Sequence, residues 1–382
     1  MRILALSLLR LGDLFHHVHL LREIKRRAEA TTRTGSVELH VLAFTDTKAA
    51  EKLFPEFRFH FIPRAELQTE LVERHRSWRR ALQLLKTSIR DLNEYDFTQT
   101  YNLTHTSFSG RIMDLLECPE KKGLRFEDGR AVLDGQGLRY VNEIWAFEKE
   151  PLFNWIDATA ASVDTPEPPI MAADARERGE VWLQPLTSDS KKNWSIPKWR
   201  ELARRLRAQN TKFRFIAAPG EGALLATALG EDVYEMTFQA LRETREHCAL
   251  LVAGDTSVLH FAVLEKIPVM GIYLGPANPF KTPPRQKGAG IWWSPVGCSP
   301  CGHRSTCSQA THACEEALGA EEVELAILAK LKKIDIGSHL TQAHALYGEV
   351  QSFGRVHFRR NDAEAKPGRS PGSLSVAGAR PA

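Results

Sequence analysis

The sequence predicts an α/β protein built from two parallel-sheet domains, and three stretches carry that expectation. Residues 2–9 form an apolar run that passes through Arg10-Leu11-Gly12-Asp13 into a segment with helical spacing, the opening of an α/β unit. The run Ala249-Leu250-Leu251-Val252-Ala253-Gly254 lacks polar alternation, as a strand buried on both faces of a parallel sheet requires. Between them, Thr165-Pro166-Glu167-Pro168-Pro169 places three prolines in four residues, which excludes helix and central strand and marks a linker. At 382 residues the chain has length for two domains, each with its own core.

In the first half, the helix after Asp13 runs through Leu14, Val18, Leu20, Leu21 and Ile24 and ends basic at Lys25-Arg26-Arg27, the favourable charge for a helix C-terminus. Strands are expected at Val37–Phe44 and Phe57–Ile62, with a helical piece around Ala49–Phe54, and this βαβ alternation implies a parallel sheet. Trp78, Leu82, Leu85 and Ile89 recur at helical spacing while Arg74, Arg76, Arg79, Arg80, Lys86 and Arg90 take the remaining positions, giving a basic amphipathic helix. Phe97–Tyr101 reads as a strand, Thr104–Gly110 as the polar loop at its end and Ile112–Leu116 as helix. From Phe126 to Asp164 no periodicity orders the elements. We expect this N-terminal domain over residues 1–165.

A second domain is expected over 175–335. Its strands are Val181–Leu186, Phe213–Ala218, Ala249–Ala253 and Val269–Leu274, alternating with helices near Lys198–Gln209, Gly222–Leu229 and Val258–Glu265, and Val323–Leu331 closes it. Residues 336–360 are expected to add a C-terminal helix, and the Pro-, Gly-, Ser- and Ala-rich stretch 361–382 a disordered tail. Two such halves put a ligand cleft between them, at the C-terminal edges of both sheets.

Hydrophobic content of 43% and charged content of 26% suit a soluble globular protein, and a net charge of +4 gives no ground for nucleic acid. Arg10 and Asp13 interrupt the N-terminal apolar run before it could serve as a signal peptide or span a bilayer, so a cytoplasmic location with reduced thiols is expected for the six cysteines.

Chemistry concentrates at the strand tips. Asp255-Thr256-Ser257 follows the buried strand at once and caps a helix, bringing free N–H groups and the positive end of a dipole to one point where an anion binds. Gly275-Pro276-Ala277-Asn278-Pro279 ends the next strand on the same edge. Asp13 at the first strand tip is either a helix cap or a base, and Lys191-Lys192 follows Thr187-Ser188 in a loop that is either a solvated basic run or an anion site. Glu221 in Pro219-Gly220-Glu221 fits an ordinary turn, and His260 a hydrogen-bonded packing residue. Among His16, His17 and His19 only the first and last share a helix face, which argues against a metal there.

Gly254-Asp255-Thr256, His260, Gly275-Pro276 and Asn278-Pro279 together resemble the nucleotide-sugar signature of glycosyltransferase family 9, which includes the lipopolysaccharide heptosyltransferases. Arg10-Leu11-Gly12-Asp13 and the segment Gln184–Trp199 are similar to further family segments. This chain departs at Ser257, where the family usually has Gly, and at Ala277-Asn278, where it usually has Thr-Asp.

The resemblance implies a GT-B fold of two Rossmann-like domains facing across a cleft, and inverting, metal-independent transfer of heptose from ADP-heptose to a lipopolysaccharide core acceptor. It implies Asp13 as base and Lys192 as partner of the leaving diphosphate. The donor residues would be Thr187, Ser188, Glu221, Asp255, Thr256, Ser257 and His260, with no cofactor required. Arg10, Arg79 and Arg80 would serve the acceptor, and the basic helix allows peripheral contact with the inner membrane.

Cys298, Cys301, Cys307 and Cys314 fall within 17 residues. Cys298-Ser299-Pro300-Cys301 has metal-ligand spacing and the second pair does not, so free thiols, a structural metal and disulfides all stay open. Two other functional readings also remain: the same fold acting on a protein or another glycan, and a non-catalytic scaffold that binds a nucleotide sugar or a cysteine-held metal.

Overall fold

The structure, a computed structural model, describes residues 1–32, 36–72, 78–174, 179–302, 306–309, 311–331, 346–351 and 356–358. The first half runs β1 (Arg2–Ser7), α1 (Leu11–Thr31), β2 (Glu38–Phe44), α2 (Ala49–Leu53), β3 (Arg58–Ile62), α3 (Arg64–Val72), α4 (Trp78–Asn93), β4 (Gln99–Asn102), α5 (Ser107–Leu115) and β5 (Glu120–Lys122). Its strands form a parallel sheet in the order β3-β2-β1-β4-β5, so the buried run Ile3–Ser7 lies at the centre.

Arg10–Asp13 is the connection between β1 and α1, and most of it is helical. The helix already starts at Leu11, because the Asp13 carboxylate accepts the Arg10 N–H at 3.1 Å and closes the first turn. The stretch without periodicity holds a two-stranded hairpin, β6 (Arg125–Glu127) and β7 (Arg130–Val132), around Asp128 and Gly129 with φ of 48° and 76°. It continues through α6 (Gln136–Tyr140), a π-helical turn Val141–Trp145 and α7 (Trp155–Ser162).

The second half runs β8 (Glu180–Gln184), α8 (Ile196–Ala208), β9 (Phe213–Ala217), α9 (Gly222–Leu229), β10 (Val233–Glu235), α10 (Phe238–Glu243), β11 (Cys248–Gly254), α11 (Ser257–Leu264), β12 (Val269–Tyr273), β13 (Gly290–Trp293), α12 (Ala313–Glu316), α13 (Ala320–Lys330), β14 (Leu346–Val350) and β15 (Val356–Phe358). The sheet order is β10-β9-β8-β11-β12-β13-β14-β15. Strands β8 to β13 are parallel to their neighbours, and β14 and β15 add antiparallel pairs at one edge.

Those last two strands correct the expected C-terminal helix. The edge of β13 offers unpaired backbone groups, and β14 takes them, with Trp292 beside Tyr347 and Gly290 beside Glu349. Residues 337–345, the tail 361–382, and Arg74 and Arg76 of the basic stretch lie outside the described residues.

The halves share one core. Phe15 of α1 meets Phe261 of α11 at 5.1 Å and Phe238 of α10 at 5.0 Å, while Phe54 closes the cluster at 6.0 Å from Phe15. Helix α1 therefore packs directly on α11, which fixes the two strand edges that flank the cleft. No helix among the described residues is long and apolar enough to cross a membrane.

A buried ion pair locks the back of the junction. Arg285 Nη1 donates to Asp157 Oδ1 at 2.6 Å with both side chains 4% exposed, and Nη2 donates to Pro168 O in the linker. Removing one partner of such a pair leaves a buried charge unmatched, at a cost of about 3–5 kcal/mol. Arg285→Met should lower the unfolding free energy from denaturant titrations by that amount, and adding Asp157→Asn should recover part of it. Independent, additive losses would show that the pair does not couple the two segments.

Candidate active site

The parallel strands β1, β8, β9, β11 and β12 deliver their C-terminal tips to one cleft, and the close packing of α1 on α11 sets its width. A Cβ placed on Gly12 would stand 3.5 Å from Ser257 Cα and 3.7 Å from Ser257 Cβ, so the first turns of the two helices touch. Asp13 is thereby brought against the Asp255–Ser257 tip.

Lys192, Asp255 and His260 form the centre. Lys192 Nζ donates to Asp255 Oδ2 at 2.7 Å and to Asp255 O at 3.3 Å, with the two side chains only 12% and 11% exposed. His260 Nε2 lies 3.2 Å from Asp255 Oδ1, which also accepts from Thr282 Oγ1 at 3.4 Å. Burial pushes the Asp255 carboxyl up, but the His260 hydrogen bond and the Lys192 charge outweigh it and hold the group well below the usual carboxylate range.

Asp13 behaves oppositely. Burial raises its pKa and the nearby Asp255 charge raises it further, against the lowering effect of the Arg10 N–H. Two neighbouring carboxyls pushed apart in this way divide into a permanent anion and a stronger base. One Asp13 oxygen does cap α1, and among the described residues the carboxylate makes no other hydrogen bond. Capping and service as a base are compatible.

Loop geometry brings Thr187 and Ser188 to the same edge. Thr187 N donates to Asn193 Oδ1 at 2.8 Å and its hydroxyl to Asp189 O at 2.8 Å, while Ser188 accepts from Arg10 Nη1 at 3.4 Å across the cleft. Gly254 has to be glycine, because a Cβ there would sit 2.7 Å from the Thr187 methyl. Gly275, at φ 58°, would drive a Cβ to 2.5 Å from Lys191 O. Thr256 is the N-cap residue of α11 and Ser257 opens that helix.

Glu221 stands at the tip of β9, exposed, with its carboxylate accepting from Ala218 N at 3.3 Å. The arginines divide. Arg10 reaches across the cleft, whereas Arg79 and Arg80 are exposed at the start of α4, and Arg80 pairs with Glu70 at 3.6 Å. Sequence reasoning missed Thr282, Arg285 and the partnership of Lys192 with Asp255, which lie on separate loops that only the sheet topology brings together.

The four cysteines of the 298–314 segment line one small cavity with His312 and Lys191. Their thiols are free, and burial raises those of Cys301 and Cys314. Cys314 Sγ accepts the Gly275 N–H at 3.3 Å, tying this layer to the back of the second loop. Among the described residues no three ligating groups converge on a metal position.

A family model described as glycosyltransferase family 9 (heptosyltransferase) matches residues 143–312. No curated protein matches the sequence. Among solved structures, E. coli heptosyltransferase WaaC with ADP-2-deoxy-2-fluoro heptose is similar at a TM-score of 0.57 and 14% identity, over 86% of this chain and 99% of that one. E. coli ADP-heptose lps heptosyltransferase II is similar at 0.56 and 15%, over 87% and 99%. The family 9 glycosyltransferase from Veillonella parvula DSM 2008 is similar at 0.53 and 14%, over 73% and 82%. These structures establish the shared architecture, two parallel-sheet halves facing across a cleft. The chain thus has the GT-B fold, and its residues 143–312 match the model of glycosyltransferase family 9 (heptosyltransferase).

Proposed function

We propose that the protein transfers a heptose from ADP-heptose to a hydroxyl of a lipopolysaccharide core acceptor, with inversion at the anomeric carbon and without a required metal. The acceptor side is residues 1–165 and the donor side 175–335. The observation that carries this reading is the Lys192–Asp255 pair at 2.7 Å facing Asp13 across the α1–α11 contact.

In this reaction Asp13 takes the proton of the acceptor hydroxyl as its oxygen bonds to the anomeric carbon. The bond to the diphosphate breaks on the opposite face and its electron pair leaves with the phosphate oxygen. Lys192 neutralises that growing charge, a service a divalent ion gives in other transferases. The α11 N-terminus at Thr256 and Ser257 and the loop at Thr187 and Ser188 hold the phosphates through N–H and hydroxyl groups. Glu221 accepts from the ribose hydroxyls. Arg10, anchored on Ser188, stands where an acceptor phosphate would meet the donor. The relatives crystallised with ADP and with an ADP-heptose analogue support the donor class.

The test is calorimetric titration with ADP-heptose, ADP-glucose and UDP-N-acetylglucosamine, followed by transfer of labelled heptose to isolated core oligosaccharide and its lipid-linked form. Selective ADP-heptose binding with label in the core is the expected result. Binding without transfer to either core form would move the acceptor to another glycan or a protein, and no binding of any donor would overturn the reading.

A further inference from the structure

Two nitrogens beside the site are buried without a hydrogen-bond partner among the described residues, His16 Nε2 and His260 Nδ1. Their rings lie 3.8 Å apart at 45°, one on α1 and one on α11, and the two residues are 4% and 5% exposed. Buried polar atoms without partners are uncommon and costly, so this pairing needs a physical account.

The other edge of His260 supplies it. Nε2 faces Asp255 Oδ1 at 3.2 Å, and an ionised carboxylate only accepts, so Nε2 carries a proton on the edge turned to Asp255. With Oδ1 taken by His260 and Thr282, Oδ2 is left to Lys192. A chain of contacts therefore runs from α1 through His16, His260 and Asp255 to the lysine. His16 follows Asp13 by three residues and shares its helix face, so one turn of α1 presents both the carboxylate and the ring that seats on His260.

We propose that His16 is a positioning residue: its ring, seated on His260, fixes the edge that His260 turns to Asp255 and thereby aims Lys192 at the donor diphosphate. Packing α1 on α11 then sets the base and the lysine in one movement, although they stand on opposite halves. This role rests on the donor reading given above.

The first test needs no donor. Imidazole ¹⁵N spectra of the ligand-free full-length protein should report His260 protonated at Nε2, and His16→Ala should shift those signals towards a mixture of tautomers. His16→Phe, which keeps a ring in the contact, should leave them near the parent values. His16→Gln serves as the ringless variant if His16→Ala fails to fold. Unchanged His260 signals in a folded ringless variant would overturn the proposal.

The second test is a double-mutant cycle on ADP affinity. His16→Ala should weaken ADP about tenfold in the parent protein and less than about twofold in a Lys192→Met background, because the effect travels through the lysine. Equal losses in both backgrounds, which general loosening of the cleft would give, would overturn it. If the parent protein binds no ADP, the donor reading fails, while the spectra still decide the role of His16.

Discussion

Asp13→Asn lowers kcat by about two to four orders of magnitude on the proposed reaction while leaving ADP affinity nearly unchanged. The substitution isolates the proton acceptor from the rest of the residue's duties. An Asn oxygen can still accept the Arg10 N–H that Asp13 takes at 3.1 Å, so the start of α1 and the packing of Gly12 on Ser257 survive. What disappears is the lone pair basic enough to take a hydroxyl proton.

The pH profile gives a second readout with a definite sign. A base works only when deprotonated, so kcat/KM falls as pH drops through the Asp13 pKa, which burial and the Asp255 charge place above the ordinary value of 3.8. Asp255→Asn removes a charge that raises Asp13, so the acid limb should move to lower pH. The same substitution frees Lys192 from its 2.7 Å partner, so donor affinity should change with it. Should Asp13→Asn retain kcat within about threefold, the residue is only a helix cap and the base stands elsewhere.

Local signals made much of this visible in the sequence. The run Ala249–Ala253 could be read as a central strand because a strand buried on both faces has no polar alternation to mislead. Asp255-Thr256-Ser257 announced the helix start because capping chemistry is local. Asp128-Gly129 between short strands was an available hairpin signal that went unused. The strand β13, Gly290–Trp293, escaped because a four-residue run after a proline-rich loop is too short to show a period. The expected C-terminal helix failed because edge pairing with β13 decides the structure of β14, and no local pattern encodes that partner. The ion pairs Lys192–Asp255 and Arg285–Asp157 join residues far apart in the chain, so no local spacing could have revealed them.

Acidification should unfold the protein steeply below about pH 6.5, because several of its histidines are buried in the neutral form. Burial pushes His17 and His19 down to about 3 and His105 to about 4, and holds His16 well below the usual imidazole range. The structure gives these rings neutral partners: His17 Nδ1 lies 2.8 Å from Ser7 Oγ, and His105 Nε2 lies 2.9 Å from Ser162 Oγ. The unfolded chain takes up protons near pH 6.5 and the folded chain does not, so the unfolded state binds more protons throughout the window from there down to about 3 or 4. Stability therefore falls as pH falls. Each histidine contributes up to about 1.4 kcal/mol per pH unit, and these four together about 5.6 kcal/mol per pH unit, so about one to two units of acidification compare with the whole stability of an ordinary domain. The raised carboxyls of Asp13 and Asp157 act in the opposite direction, through the interval between the ordinary aspartate value and their own raised ones. Denaturant midpoints measured from pH 7.5 to 5 should drop across the upper part of that window, and His17→Gln should make the slope shallower, by about a sixth since His40 and His60 are also lowered. A midpoint constant from pH 7.5 to 5.5 would mean that these rings are protonated in the fold and that the cleft admits water to α1.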